Sequence, residues 1–324
     1  MAHMTAVEAA TVAEIARGIA DEVGNAVIGK PAEIHAAVAT LLAGGHLLIE
    51  DVPGVGKTTL ASALARSFGA HAARIQFTSD LLPTDVTGVS VFDQASKEFR
   101  FHEGPIFANV VVADEVNRST PKTQSALLEA MGEGRVTVDG TTYPLPRPFM
   151  VVATQNPQDM EGTFPLPEAQ RDRFMTRISL GYPSIEAEVS LLGPHPAEGV
   201  LSEVASVVPI AQVVAARRAV SQVHLAPEIA RYLVSIVSAT REHPGIVHGA
   251  SPRASLHLAQ MARARAAMSG RAYASPDDVA ALAGIVLSHR IVTGDLHASA
   301  ADSLAAAAAI VRDIVARTRV PGVR

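Results

Sequence analysis

Lys57 and Thr58 close a glycine-rich turn, and Asp114 and Glu115 close an apolar run; no other residues of the 324-residue chain point as directly to chemistry. The first pair lies in "LLIEDVPGVGKTTLASALA", Leu47 to Ala65. A strand that runs into such a turn and then into a helix presents consecutive backbone N–H groups at the helix N-terminus. Those groups and the helix dipole attract phosphate oxygens. Gly54 and Gly56 let the backbone come close to phosphate with no Cβ in the way. Lys57 is placed for the β- and γ-phosphates and Thr58 for Mg²⁺. Nucleotide contacts are therefore expected from Pro53, Gly54, Val55, Gly56, Lys57, Thr58 and Thr59. The stretch departs from G-x-x-x-x-G-K-[ST] at its first position, which is Asp51. That position ends the strand, so Asp51 is expected to point away and leave the cradle intact. The alternative is a degenerate loop that binds weakly.

"VVVADE" puts Asp114 and Glu115 at the C-terminal end of a buried strand, where open α/β sheets bind ligands. A Mg²⁺-ATP site needs a carboxylate near the metal and, for hydrolysis, a group that orients the attacking water. Asp114 fits the first role, as a metal ligand with Thr58, and Glu115 fits the second. An apolar run ending in Asp-Glu is common by itself. Downstream of a phosphate loop at this interval, the pair points to hydrolysis.

Regular elements must position these groups. Helical spacing covers 7–24 and the stretch up to Gly44-Gly45, with a turn at Gly29-Lys30-Pro31 between them. Strands are expected at 46–50, 73–78, 109–115, 149–156 and within 173–183, with helices at 58–69 and after Ser119-Thr120-Pro121, the latter ending at Gly132. Alternating residues around short polar turns predict hairpins at 89–102 and 135–143; the second turns on Asp139-Gly140. Beyond Pro183 the pattern becomes helical, over 209–221, 227–241, 252–268, 276–289 and 298–317. The expected fold class is α/β: a parallel sheet flanked by helices over residues 1–190, then an all-helical domain over 191–324, with the boundary near 183–205.

Composition narrows the function. The net charge of −5 and an aromatic content of 4% argue against a nucleic-acid binder. With no Cys, thiolate metal sites and Cys nucleophiles are excluded; this fits a reducing compartment, and a cytoplasmic location is expected. No apolar run of about 18 residues is present, so no membrane span is expected. Glu8 and Glu14 stand where a signal peptide needs an apolar core. His243 and His248 in "REHPGIVHG" lack carboxylate or Cys spacing for a metal and read as loop residues.

Four strings, "GVGKTT", "VVVADEVNRSTPKTQSALLEAMGEGRVTVDG", "MVVATQNPQDMEGTFPLPEAQRDRF" and "GASPRASLHLAQMARA", together resemble the MoxR family of AAA+ ATPases, from about Gly29 to the C-terminus. The resemblance implies a P-loop AAA+ core with a helical lid, ATP and Mg²⁺ as ligands, and further roles at matching positions. Asn156 matches the sensor-1 polar residue near the γ-phosphate or the water. Arg173 in "RDRF" matches the arginine finger that reaches a neighbouring subunit's ATP, with Arg171 as the nearby alternative. Arg253 in "SPRA" matches sensor 2, and Ser251-Pro252 suit the cap and first turn of its helix. Gly29 in "VIGK" matches the turn beside the adenine. Residues 80–106 resemble an insert in the second core helix, and the 135–143 hairpin an insert before sensor 1. In such rings both inserts can face the pore. The resemblance also implies a homo-oligomeric ring, expected to be hexameric. It implies chaperone-like maturation of a client, often with a partner carrying a von Willebrand factor A domain. Three other readings remain: a nucleic-acid motor, the motor subunit of a metal chelatase, and a nucleotide-gated binding module without turnover.

Overall fold

The apolar runs of strand length assemble into one five-stranded parallel sheet in the computed structural model, which describes residues 4–156, 163–191, 201–294 and 300–322. In chain order the strands are β1 (Leu47–Glu50), β2 (Ala72–Gln76), the hairpin β3 (Gly88–Asp93) and β4 (Glu98–Glu103), β5 (Val110–Asp114), the hairpin β6 (Arg135–Val138) and β7 (Thr141–Pro144), β8 (Met150–Gln155) and β9 (Thr176–Ile178). The main sheet has the order β2-β5-β8-β1-β9, and its pairings are all parallel. The chain does not fill the sheet in order: β5 and β8 lie between β2 and β1, and β1 lies between β8 and β9. The C-terminal ends of β1, β5 and β8 are thereby gathered at one edge, where a doubly wound sheet opens a crevice.

Side-chain alternation explains why helices cover both faces. Leu47 and Ile49, Val110 and Val112, and Met150 and Val152 enter one apolar cluster; Leu48, Val111, Ala113, Val151 and Ala153 enter another. The first cluster is filled by α1 (Ala6–Ala26), α2 (Pro31–Ala43) and α3 (Lys57–Ser67). The second is closed by α4 (Pro83–Thr87) and α5 (Pro121–Glu133). At the start of α1, Glu8 N–H donates to Thr5 Oγ at 3.2 Å and Thr5 N–H donates to the Glu8 carboxylate at 2.8 Å, which satisfies two otherwise orphaned donors.

The stop of α5 differs from expectation. Gly132 remains helical, and the chain turns instead at Gly134, whose φ of 64° is left-handed and whose N–H donates to Ala130 O at 2.9 Å. The reason is local packing: the Arg173 guanidinium lies where a Cβ on Gly132 would stand, so that glycine makes room for an arginine rather than a turn.

After α6 (Glu168–Arg171) and α7 (Ile185–Leu191), the C-terminal part is built from α8 (Ile210–Ser221), α9 (Pro227–Glu242), α10 (Pro252–Met268), α11 (Pro276–Leu287) and α12 (Ala300–Arg317). A short antiparallel pair, β10 (Ile246–His248) with β11 (Val292–Thr293), joins them. Their apolar faces belong to the same cluster as α1 and α2, so the first two helices of the chain are the floor on which the lid rests. Residues 192–200, inside the stretch where the sequence places the domain boundary, lie outside the described residues. Among the described residues no helix is long and apolar enough to cross a membrane.

Candidate active site

The phosphate loop leaves β1 at Asp51 and enters α3 at Lys57. Gly54 and Gly56 have φ of 83° and 90°, and no heavy atom lies within 4 Å of where a Cβ would stand. Backbone conformation, not crowding, therefore demands glycine there. No side chain caps the N-terminus of α3, so its first N–H groups face the loop without a side-chain partner. Lys57 Nζ donates to the carbonyls of Asp51 and Val52, each at 2.7 Å. Burial pushes the Lys57 pKa down, against the opposing charges of Asp51, Asp114 and Glu115.

Asp51 does turn away from the cradle. Its carboxylate accepts hydrogen bonds from Ser179 Oγ at 2.8 Å and Gly181 N–H at 2.6 Å, and from Val52 N–H at 2.9 Å. It ties the start of the loop to the segment that follows β9. Burial alone would raise its pKa, but the bonds from Gly181, Ser179 and Val52 bring it below the usual carboxylate value. Asp51→Gly is therefore expected to give no gain in nucleotide affinity and to cost about 1–3 kcal/mol of stability. Because the folded pKa is depressed, this contribution is present above the unfolded value near 3.8 and is lost as pH falls through the folded one. Urea titrations at pH 7 and pH 3 check this: the difference between wild type and variant should shrink at the lower pH. A tighter nucleotide complex in the variant would make Asp51 a handicap instead.

Asp114 is the hub. It is 4% exposed and accepts from Thr58 Oγ at 3.2 Å, Thr154 Oγ at 3.1 Å and Arg74 Nε at 2.6 Å. Glu115 has φ of 55°, a left-handed conformation that costs a glutamate about 1 kcal/mol. Its N–H donates to Thr154 Oγ at 3.0 Å. Its carboxylate accepts from Gln76 Nε2 at 2.9 Å and pairs with Arg118 Nε at 3.3 Å.

These groups line one cavity of about 330 Å³, which brings together Pro53, Gly54, Gly56, Lys57, Thr58, Thr59, Asp114, Glu115 and Asn156 from the expected set. Val55 packs against the core beneath the loop. The residues fit a Mg²⁺-nucleotide. The Gly54–Gly56 cradle is open, and Thr58 and Asp114 are the oxygen donors a hard cation takes. Gln155 Nε2, on the cavity wall, is buried with no hydrogen-bond partner and is a donor in need of an acceptor.

Three expected residues are elsewhere. Gly29, at φ 76°, turns the chain between α1 and α2, lies against Ala187 and borders a separate cavity. Arg173 and Arg253 lie at the opposite edge of the sheet. β9 runs parallel to β1 with Thr176 opposite Leu47, so Arg173 precedes the strand starts, whereas the phosphate loop follows the strand ends. Arg173 Nη1 donates to Leu128 O at 2.8 Å. Arg253 pairs with Asp172 at 3.4 Å, and Asp172 also takes Ser251 Oγ at 3.0 Å and Arg290 Nε at 2.9 Å. Arg290 is 1% exposed, so Asp172 fixes the turn before Arg173 to the lid. Arg171 Nε is buried without a hydrogen-bond partner. Residues 157–162, part of the string that carries much of the resemblance, lie outside the described residues.

Sequence reasoning missed Arg74, Gln76, Thr154 and Gln155. The signal for the first two was available: in "ARIQFT" the polar Arg74 and Gln76 flank Ile75 and share one face of β2. Which strand that face adjoins was not legible.

Residues 46–176 match the family described as ATPase family associated with various cellular activities (AAA), and residues 238–314 match the AAA lid domain. The uncharacterized protein YeaC of Bacillus subtilis is 46% identical over 301 residues, 93% of each chain. Chaperone MoxR1 of Mycobacterium tuberculosis is 42% identical over 285 residues, 84% of this chain and 74% of that protein. The crystal structure of a candidate ATPase from Cytophaga hutchinsonii superposes with a TM-score of 0.85 at 36% identity, covering 97% of each chain.

Proposed function

Since this chain belongs to the MoxR family of AAA+ ATPases, we propose that it hydrolyses ATP with Mg²⁺ at sites shared between copies in a ring, and uses the cycle to remodel a client protein. The carrying observation is the separation of Arg173 from its own phosphate loop by the length of the sheet strands. An arginine so placed reaches a nucleotide only on a second copy. A ring, expected to be hexameric, supplies that copy at every site.

The chain's own residues divide the work. Backbone N–H groups from Gly54 to Thr59, in the turn that Pro53 opens, and the Lys57 ammonium hold the phosphates. Thr58 and Asp114 would hold Mg²⁺, which supplies neutralisation of the developing phosphate charge. Glu115 orients water and takes its proton, and Asn156 positions the γ-phosphate or the water. Arg173 brings positive charge to the transition state in a neighbour's site, and Arg253 stands beside it on the lid. Gly29 borders the adenine. The chaperone role is supported by the name of the Mycobacterium tuberculosis relative, and a partner with a von Willebrand factor A domain by the family resemblance.

Steady-state ATPase rate per chain against protein concentration tests the shared site. Activity per chain is expected to rise with concentration. A flat profile at concentrations where the protein is monomeric removes the ring.

Arg74 adds a condition. It occupies one side of the carboxylate that would serve Mg²⁺, so cation and guanidinium compete for Asp114. The Arg74 side chain is 61% exposed, which limits the pair to less than about 1 kcal/mol. Arg74→Gln is expected to lower the Mg²⁺ concentration for half-maximal ATPase about two- to fivefold. If the variant instead raises KM for ATP at saturating Mg²⁺, Arg74 is a phosphate contact rather than a competitor.

A further inference from the structure

A second cavity, of about 350 Å³, opens where β1 and β8 begin, at the opposite end of those strands from the phosphate loop. Three guanidinium groups line it. Arg217 and Arg218 come from α8, and Arg147 from the loop into β8. Val214, Arg217 and Arg218 are spaced three and four residues apart, so one face of α8 delivers them together. Among the described residues, none of the three side chains has a hydrogen-bond or ion-pair partner. Glu133, on the rim, is already paired with Arg135 at 2.8 Å.

The remaining polar groups supply little negative charge. His46 is buried, its Nδ1 accepting from Val151 N–H at 2.9 Å and its Nε2 lying 3.2 Å from Met131 O. Burial pushes its pKa down to about 4, so it is neutral. Gly44 and Gly134, the left-handed C-caps of α2 and α5, both border the cavity. Each helix end contributes about half an elementary negative charge, which leaves three cations well short of balance. The Arg217 guanidinium lies against the cap of α2: a Cβ on Gly44 would stand 2.6 Å from its Nη2, so the cap glycine leaves room for it. Burial and the nearby Arg147 charge depress the Arg217 pKa, as expected of a cation short of a counter-ion.

Pro146, Pro148 and Phe149 supply an apolar part of the wall beside these charges. Guanidinium forks converging on one space match an oxyanion with several acceptor oxygens better than a single carboxylate. We propose that this cavity is a second anion site, separate from the phosphate loop, that takes the phosphate groups of a nucleotide or polyphosphate, either free or held by a neighbouring copy. The free-ligand form stands without the ring; the neighbour-held form rests on it.

Calorimetric titration with inorganic pyrophosphate tests the site in the full chain carrying Lys57→Ala, which weakens the first site. One equivalent per chain is expected, with affinity that falls as salt is raised. Adding Arg217→Gln and Arg218→Gln should weaken it at least about tenfold. Melting separates a site from a structural cap. Pyrophosphate should raise the Tm of Lys57→Ala but not of the triple variant. Arg217→Gln alone should melt no lower than wild type, since it removes an unpaired charge. The second arm uses a fluorescent ADP analogue held by wild-type chains. If added Lys57→Ala chains tighten it and triple-variant chains do not, the ligand is the neighbour's nucleotide. If uptake depends on Arg217 in neither arm, or if Arg217→Gln lowers the Tm with no anion effect, the cavity is only a helix-capping contact and the proposal is wrong.

Discussion

Glu115→Gln is expected to bind ATP as tightly as wild type and to hydrolyse it about 10²–10⁴-fold more slowly. The carboxamide keeps the shape of the side chain and an oxygen that still accepts from Gln76, so the left-handed turn at Glu115 has no new reason to move. It lacks the basicity needed to take a proton from water. The lost pairing with Arg118 is between half-exposed groups and is worth less than about 1 kcal/mol, so unfolding cannot account for a loss of this size. The cradle that holds the phosphates is built from residues 53–59, none of which touches the Glu115 side chain through a hydrogen bond or ion pair. Single-turnover hydrolysis and equilibrium binding of a fluorescent nucleotide check the two halves. Turnover within twofold of wild type would assign the water to another group, and lost binding would make Glu115 part of the cradle.

The strands and helices carrying these residues were legible because each has a local cause. The apolar run before the glycines gives β1, the run before Asp114-Glu115 gives β5, and Pro121, Pro227, Pro252 and Pro276 mark helix starts. The lid helices were legible to within a few residues at their ends for the same reason. The residues that hold the carboxylates were not, because Arg74 meets Asp114 across 40 positions of sequence. Only the pairing of β2 with β5 brings them together, and strand order is a property of the whole sheet. Gly132 misled for a related reason. A glycine in a helical run reads as a stop, while its actual neighbour, Arg173, comes from a segment about 40 residues later. The role of Asp51 was half legible. Its position at the strand end predicted the direction it points, but Ser179 and Gly181 could be named only after β9 was seen beside β1.

The coupling between lid and arginine turn is the other feature that no local pattern announced. Asp172 is bonded to Ser251 and Arg290 and paired with Arg253, and it immediately precedes Arg173. Arg290 also donates to Phe174 O, on the far side of the same turn. A lid movement therefore cannot leave this turn unaffected unless those bonds break. In the shared-site reading, the lid of one copy would set the position of the arginine offered to the next, and ATP in one site would be felt in its neighbour.

Arg173→Ala is expected to lower ATPase turnover about 10³-fold while leaving ATP binding intact, and this is the change that bears most directly on assembly. In the structure Arg173 donates to Leu128 O, so serving a neighbour requires breaking one hydrogen bond worth about 1 kcal/mol. A finger worth 10³ in rate contributes about 4 kcal/mol, so the exchange is favourable. Mixing separates a finger from a merely structural contact. Lys57→Ala chains and Arg173→Ala chains are each expected to be inactive alone. An interface that takes its phosphate loop from the second and its arginine from the first is complete, so the mixture should regain activity. If Arg173 supported only its own fold through Leu128, mixing would restore nothing, and the single variant would melt earlier. Arg171→Ala is the companion, since Arg171 sits two residues away with its Nε unpartnered. Should Arg171→Ala show the large loss and complement Lys57→Ala in its place, the finger moves by two residues and the shared site stands. Should neither arginine variant complement, each site works within its own chain, and the separation of Arg173 from its own phosphate loop would need a different explanation.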